Sequence, residues 1–336
     1  MSLGVLSHGV ACPGGTGVES LFSAWPRTRV ETASGNRAFE TAQTDVGAAE
    51  YQQWALKPRL RRASALTYFL VEAVSQAVRG LSEAERKETG VVACFFLGCL
   101  SYSIRFYREI TKDGRRFASP VLFPETVFNS PISHVASTLG IGGPVYSQIG
   151  DKSAWVSALR TAECWLRTGS AKQVVVVGAE EFDPHALDAF AAAGWMRSRA
   201  FIPGTGAGAV LVGPRQRGRA AISNLSEGYG FATHDEVEDA ARECVAELED
   251  ECSMMQTATG WAAEREDRLF GDRLLRLSMN PGVEGFAASA AWDVIRACRA
   301  VETGEVVGDL IVPVWGLAQQ VAAIQVGLGE ARCSLA

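Results

Sequence analysis

The chain has 336 residues, 47% of them hydrophobic, enough to bury a large core as one α/β unit or two fused halves and too many for a disordered chain. Its 32 Lys and Arg against 38 Asp and Glu leave a net charge of −6, which argues against nucleic acid as the principal partner. No apolar run approaches a membrane span and the first residues lack the pattern of a secretory signal, so a cytoplasmic protein without membrane contact is expected.

The first strand is read at Leu3–Val10, which carries His8 and leads to Cys12. Between Leu66 and Leu81, apolar residues at Leu66, Phe69, Leu70, Ala73, Val74, Ala77 and Leu81 follow the i, i+3, i+4, i+7 spacing of one buried helical face. The runs Gly90–Phe96, Gln173–Gly178 and Gly208–Gly213 are almost continuously apolar and rich in valine, as in strands buried on both faces. Short apolar runs alternating with helices predict an α/β protein with covered sheets. The glycines of Gly204–Gly208 lead into a strand, whereas a dinucleotide fingerprint follows one and opens a helix; they predict a tight approach between layers instead. A second half begins after Pro214 with a strand at Ala220–Ser223 and a capped, acidic helix start over Thr233–Asp239, dividing the chain into 1–214 and 215–336.

The eight cysteines are scattered, several inside apolar segments, as expected of reduced, buried thiols. His8, His134, His185 and His234 share no metal-ligand spacing, so no metal is expected. The basic runs Lys57–Arg62 and Lys112–Arg116 read as solvated faces or as a surface that greets an acidic carrier protein.

Ser119-Pro-Val-Leu-Phe-Pro-Glu-Thr-Val-Phe-Asn129, Leu139-Gly-Ile-Gly-Gly-Pro144, Val145-Tyr-Ser-Gln-Ile-Gly-Asp-Lys-Ser153 and Leu166-Arg-Thr-Gly169 give the chain its character. Together these segments resemble the β-ketoacyl synthases of the thiolase superfamily, most strongly over residues 85–215. The resemblance implies a five-layered α-β-α-β-α fold of two similar halves, the second abbreviated. It also implies that the nucleophilic cysteine of that family stands at Lys152. Its first histidine falls at Thr257, its second at Gly282, the supporting lysine at Leu277, and the loop that closes over the acyl chain at Gly316–Gln320. No catalytic residue remains at these positions, and no cofactor is implied.

A lysine at a helix start needs an anion, and Asp151 is expected to supply it while also capping the first turn. A Schiff-base lysine is the alternative; burial or a second cation would have to depress its pKa, and an adjacent aspartate works against that.

A synthase-like chain without its triad resembles the chain-length factors of type II polyketide systems, possibilities including the highly reducing, polyene-forming kind. Such a factor pairs with a homologous active ketosynthase, meets acyl carrier protein through that complex, and shapes the acyl tunnel. The resemblance puts the gate on one helix, at Leu100, Ser103 and Tyr107 with Tyr102 and Phe106 beside them; i, i+3 and i+7 share a face. It puts the dimer strand at Val145, Tyr146, Ser147, Gln148 and Ile149. Two alternatives stay open: relocated chemistry, such as a thioesterase or decarboxylase using Ser133 and His134, and a purely structural ketosynthase partner.

Overall fold

In the computed structural model, which describes residues 2–233, 235–248, 252–318 and 320–330, the apolar runs form one twelve-stranded sheet. His234 and Cys333 lie outside the described residues. The first half of the sheet comprises β1 (Leu3–Cys12), β2 (Thr89–Phe95), β3 (Val145–Ile149), β4 (Gln173–Glu180) and β5 (Gly206–Pro214). The second comprises β6 (Ala220–Leu225), β7 (Ser253–Met255), β8 (Leu274–Leu275), β9 (Leu310–Trp315) and β10 (Gln320–Leu328). Their order is β8-β7-β9-β10-β6-β1-β5-β4-β2-β3, with two short strands paired beside this path.

The halves repeat one topology. β2 is parallel to β3 and β4, and β5 is antiparallel to β4 and β1. In the same way β7 is parallel to β8 and β9, and β10 is antiparallel to β9 and β6. They join through β1 and β6, where Leu3, Gly4 and Val5 pair with Ile222, Ala221 and Ala220. The second half is the shorter copy: β7 and β8 have three and two residues where β2 and β3 have seven and five.

The described residues form ten α-helices, among them α1 (Ala65–Ala77), α2 (Leu100–Asp113), α3 (Ser130–Leu139), α4 (Ala154–Thr168), α5 (Val237–Ala246), α6 (Ala263–Phe270) and α7 (Ala287–Thr303). α4 follows β3 and α7 follows β8, the same place in each repeat. Both lie in the central cluster, where Trp155, Leu159, Trp292 and Ile295 pack with Val176, Val210, Val312 and Ile324 from the two halves. A second cluster packs α1 and α3 on the first half, and a third packs α5 and α6 on the second. Alternate residues of β4 serve different layers, Val174 and Val176 the central one and Val175 and Val177 the outer one, which explains a strand with no polar face. The result is the expected α-β-α-β-α sandwich.

The tight approach expected at Gly208 is seen against α7, where an added Cβ would lie 2.8 Å from the Ala291 Cβ. Two local expectations need correction. α1 stops at Ala77, short of Leu81, because Gly80 is a poor helix former. α5 starts only at Val237 and has no side-chain cap; Glu236 instead accepts a hydrogen bond from the Ala232 N–H at 2.8 Å.

Candidate functional site

β3 carries the chain through Gly150 to Lys152, just ahead of α4, and buries the lysine to 2% exposure at the centre of the sandwich. The Lys152 Nζ lies 2.8 Å from Asp293 Oδ2 and donates to the Thr257 carbonyl at 3.0 Å. Asp293 belongs to α7 and also takes Arg296 Nη1 on Oδ1 at 3.0 Å, so one carboxylate bridges two buried cations. A charge this deep is tolerated only when paired and hydrogen-bonded.

Burial is the largest influence on Lys152 and works to lower its pKa. Asp293 and Glu284 more than offset it, and the net shift is upward. Lys152 is therefore an ammonium ion, and the Schiff-base reading, which needs a neutral amine, loses its support.

Asp151 plays a different part from the one expected. α4 begins at Ala154 with Ser153 as its cap residue and no side-chain cap, because the Asp151 carboxylate is engaged elsewhere. Its Oδ1 accepts from the Ser153 N–H at 3.1 Å and the Ser153 hydroxyl at 2.7 Å, and its Oδ2 accepts from the Ala318 N–H at 3.0 Å. It ties the Lys152 turn to the Gly316–Gln320 segment, while the counterion of Lys152 is Asp293.

The three positions where the triad is expected come together. Lys152, Thr257 and Gly282 line one cavity of about 310 Å3, with Trp25, Trp292, Arg276, Arg296 and Ser278 among its walls. The Thr257 hydroxyl is turned away from acid–base work and donates to the Pro313 carbonyl at 2.5 Å. Gly282 has φ +80, and a Cβ there would stand 3.0 Å from the Ala200 carbonyl oxygen, so a side chain at this point would be strained. Leu277 packs, partly buried, against the central core.

Two further acids close the polar network. Glu266 accepts from Ala258 N–H at 2.9 Å, Thr257 N–H at 3.1 Å and Trp315 Nε1 at 2.8 Å; burial pushes its pKa up to about 7. Glu284 accepts from the Thr259 hydroxyl and the Phe286 N–H, both at 2.6 Å; burial raises it while Lys152 opposes the rise. Lys152 and Arg296 are both paired with Asp293 in this cavity, and neither a thiol nor an imidazole is among its described lining residues.

The remaining candidates are dispersed. His134 lies 3.0 Å from Glu125, whereas its neighbour Ser133 donates to the Asn129 carbonyl at 2.8 Å, so the two do not form a nucleophile and base. His185 contacts Asp183 and lies 2.9 Å from Arg108. Burial lowers the His8 pKa to about 4 and keeps it neutral. Among the described residues no cluster of His, Cys, Asp or Glu is placed to hold a metal, and no helix is long and apolar enough to cross a membrane.

On α2, Leu100 packs beside the cluster of Phe190, Phe201 and Phe286, and the Ser103 hydroxyl folds back onto the Cys99 carbonyl at 2.9 Å. The Tyr102 hydroxyl donates to the Arg62 carbonyl at 2.6 Å, Phe106 meets Phe123 at 5.6 Å, and Tyr107 is 67% exposed. β3 is an edge strand, paired on one side only among the described residues. Val145, Tyr146 and Ile149 are exposed there, Ser147 and Gln148 half-buried. Nine of the fourteen exposed large hydrophobic side chains among the described residues fall between Tyr107 and Ile149, which marks one apolar region around α2 and β3.

Comparison with known proteins gives the architecture a relationship. The structure matches the ishigamide ketosynthase/chain length factor over 98% of this chain and 99% of that one, with a TM-score of 0.82 at 19% identity. The fold is that of the thiolase-like ketosynthases. A β-ketoacyl synthase from Burkholderia phymatum STM815 matches over 97% of this chain and 99% of its own, with a TM-score of 0.77 at 13% identity. A type II PKS acyl-carrier protein in complex with its ketosynthase bound to the hexaketide gives 0.73 at 12% identity, over 97% and 99%. Residues 151–228, beginning one residue before Lys152, match the family model for 3-oxoacyl-[acyl-carrier-protein] synthase III. No curated protein matches the sequence.

Sequence reasoning missed Asp293, Arg296, Glu266 and Glu284. Asp293 and Arg296 left a signal, an acid and a base at i, i+3 inside the otherwise apolar stretch Ala290–Cys298. Glu266 left none, because Glu264-Arg-Glu-Asp-Arg268 reads as an ordinary solvated face.

Proposed function

We propose that this chain is a catalytically inactive, ketosynthase-like chain-length factor that pairs with an active β-ketoacyl-ACP synthase and limits product length at the interface. The observation that carries this reading is the buried Lys152–Asp293 ion pair at the position of the nucleophile. An ammonium locked to a carboxylate cannot attack a thioester, and neither Thr257 nor Gly282 offers a base. A paired charge rather than a reactive group lines the cavity at this point.

The apolar region around α2 and β3 supports the pairing. An unpaired edge strand bearing exposed Val145, Tyr146 and Ile149 invites another chain, and proteins that stay monomeric blunt such edges with charge, proline or bulges. In this reading β3 pairs antiparallel with the matching strand of the ketosynthase, and α2 presents its gate face to the partner's tunnel. An obligate interface of this kind buries over about 2,000 Å2.

The mechanism is steric measurement. The partner's cysteine holds the growing acyl chain and condenses it with a malonyl unit delivered on acyl carrier protein; each cycle pushes the tail toward Leu100, Ser103 and Tyr107. Forcing added methylenes against packed side chains costs about 1–3 kcal/mol, enough to stop extension. The abbreviated second half fits the polyene-forming kind of system. Reconstitution with a ketosynthase and carrier protein tests this: Ser103→Phe shortens the product and Tyr107→Ala lengthens it. Unchanged lengths in both variants would refute the gate and favour a scaffold role.

A further inference from the structure

We propose that the buried carboxylates Glu180 and Glu181, at the end of β4, position α2 and thereby help to set the length that its gate measures. This rests on the chain-length reading above. α2 needs such a device, because none of its fourteen residues is buried and its cap residue Cys99 makes no side-chain cap. A helix held by a buried stripe takes its position from core packing. In the chain by itself this one is held by polar tethers beside the contacts of Leu100 and Phe106.

Glu180, 1% exposed, turns both oxygens onto the segment that enters α2. Its Oε2 accepts from the Phe96 N–H at 2.8 Å and the Leu97 N–H at 3.2 Å, and its Oε1 from Leu97 at 3.1 Å and Gly98 at 3.3 Å. Three successive N–H groups converging on one carboxylate make an anion-binding nest, closed by Gly98 at φ +58. Glu181, also buried, accepts from the Leu66 N–H in the first turn of α1 at 2.8 Å, and Ser101 of α2 beside it favours its ionised form. The pair thus joins β4, α1 and the start of α2. Among the outer tethers, Tyr102 to Arg62 and Arg108 to His185 are at the exposed surface.

The clamp responds to protonation. Burial, opposed by the N–H groups, pushes Glu180 up to about 8; burial pushes Glu181 up to about 7. Ionised, Glu180 offers both oxygens as acceptors. Protonated, one oxygen carries a hydrogen and the fit to three donors is lost. The acids facing the pair favour the neutral form, Glu181 acting on Glu180 and Asp183 on Glu181, while the N–H groups and Ser101 favour the ionised one; Cys99 and Tyr102 of α2 lie within reach of Glu181 and Glu125, and Arg105 is 69% exposed.

The test is the product distribution of the complex reconstituted with its ketosynthase and carrier protein, read by mass spectrometry one unit below and one unit above the Glu180 titration near pH 8. The wild type is expected to narrow its distribution as pH rises, whereas Glu180→Gln gives the broad, low-pH pattern at both values. Tyr107→Ala serves as the control, shifting length while keeping the pH response. If Glu180→Gln keeps wild-type lengths and pH response while Tyr107→Ala shifts length, the positioning role is overturned and the gate reading stands. If neither Tyr107→Ala nor Ser103→Phe shifts length, the gate reading itself fails. Should Glu180→Gln not fold, hydrogen exchange of residues 100–113 in the wild-type complex at the same two pH values decides. Protection relative to α7, corrected for intrinsic exchange, rises with pH if the clamp operates; constant protection overturns it.

Discussion

Replacing Asp293 by Asn removes the one negative charge that bridges Lys152 and Arg296 and leaves both cations in place, with side-chain exposures of only 2% and 4%. Taking one partner from a buried ion pair costs about 3–5 kcal/mol, because the remaining charge loses its compensation without regaining water. Glu284 still acts on Lys152, which puts the expected loss near the lower end of that range. Lys152→Met is the informative contrast: it keeps the Asp293–Arg296 pair and substitutes apolar volume of similar length, so it should cost less than about 2 kcal/mol. Urea unfolding followed by circular dichroism, with free energies compared at a common slope, measures both. An Asn variant within about 1 kcal/mol of wild type, or a Met variant less stable than the Asn variant, would refute the view that Asp293 is the anchor of this network.

Three further outcomes follow from the same geometry. Lys152→Cys leaves the isolated chain unable to elongate an acyl group, because Thr257 is bonded to Pro313 and Gly282 carries no side chain; mass analysis of the carrier protein should show no added unit. Tyr146→Lys places a charge on the exposed edge of β3, so it should abolish co-purification with the ketosynthase while changing the stability of this chain by no more than about 0.5 kcal/mol. Glu266→Gln flattens the pH dependence of stability: the folded-state pKa is raised from 4.5 to about 7, so the wild type loses this contribution as pH climbs through that window and the glutamine variant does not, as urea unfolding at both ends of the window would show.

The fold was legible where side chains repeat with a period. Valine runs predicted β2, β4 and β5, and the spacing from Leu66 to Ala77 predicted α1, because these residues are buried by the same pattern that sequence displays. The frame around Lys152, Thr257 and Gly282 was legible through resemblance, and the structure brings all three to one cavity. What lay beyond reach was the pairing across the repeat. Lys152 and Asp293 are far apart in sequence and meet only because α4 and α7 occupy equivalent places in two stacked halves. The nearer anion, Asp151, was the natural guess; its carboxylate turns instead to Ser153 and Ala318. The late start of α5 was missed for a similar reason, since Thr233 and the acids after it resemble a capped first turn whether or not the helix has begun.

The most direct test is intact-mass analysis of this chain incubated alone with malonylated carrier protein, beside the same chain in complex with an active ketosynthase. The expected result is an unmodified mass for this chain in both mixtures, with acyl groups on the partner's cysteine and elongation only where the partner is present. A covalent acyl adduct on the isolated chain, lost together with turnover on mutating the residue that captured it, would contradict an inert site held shut by Lys152 and Asp293.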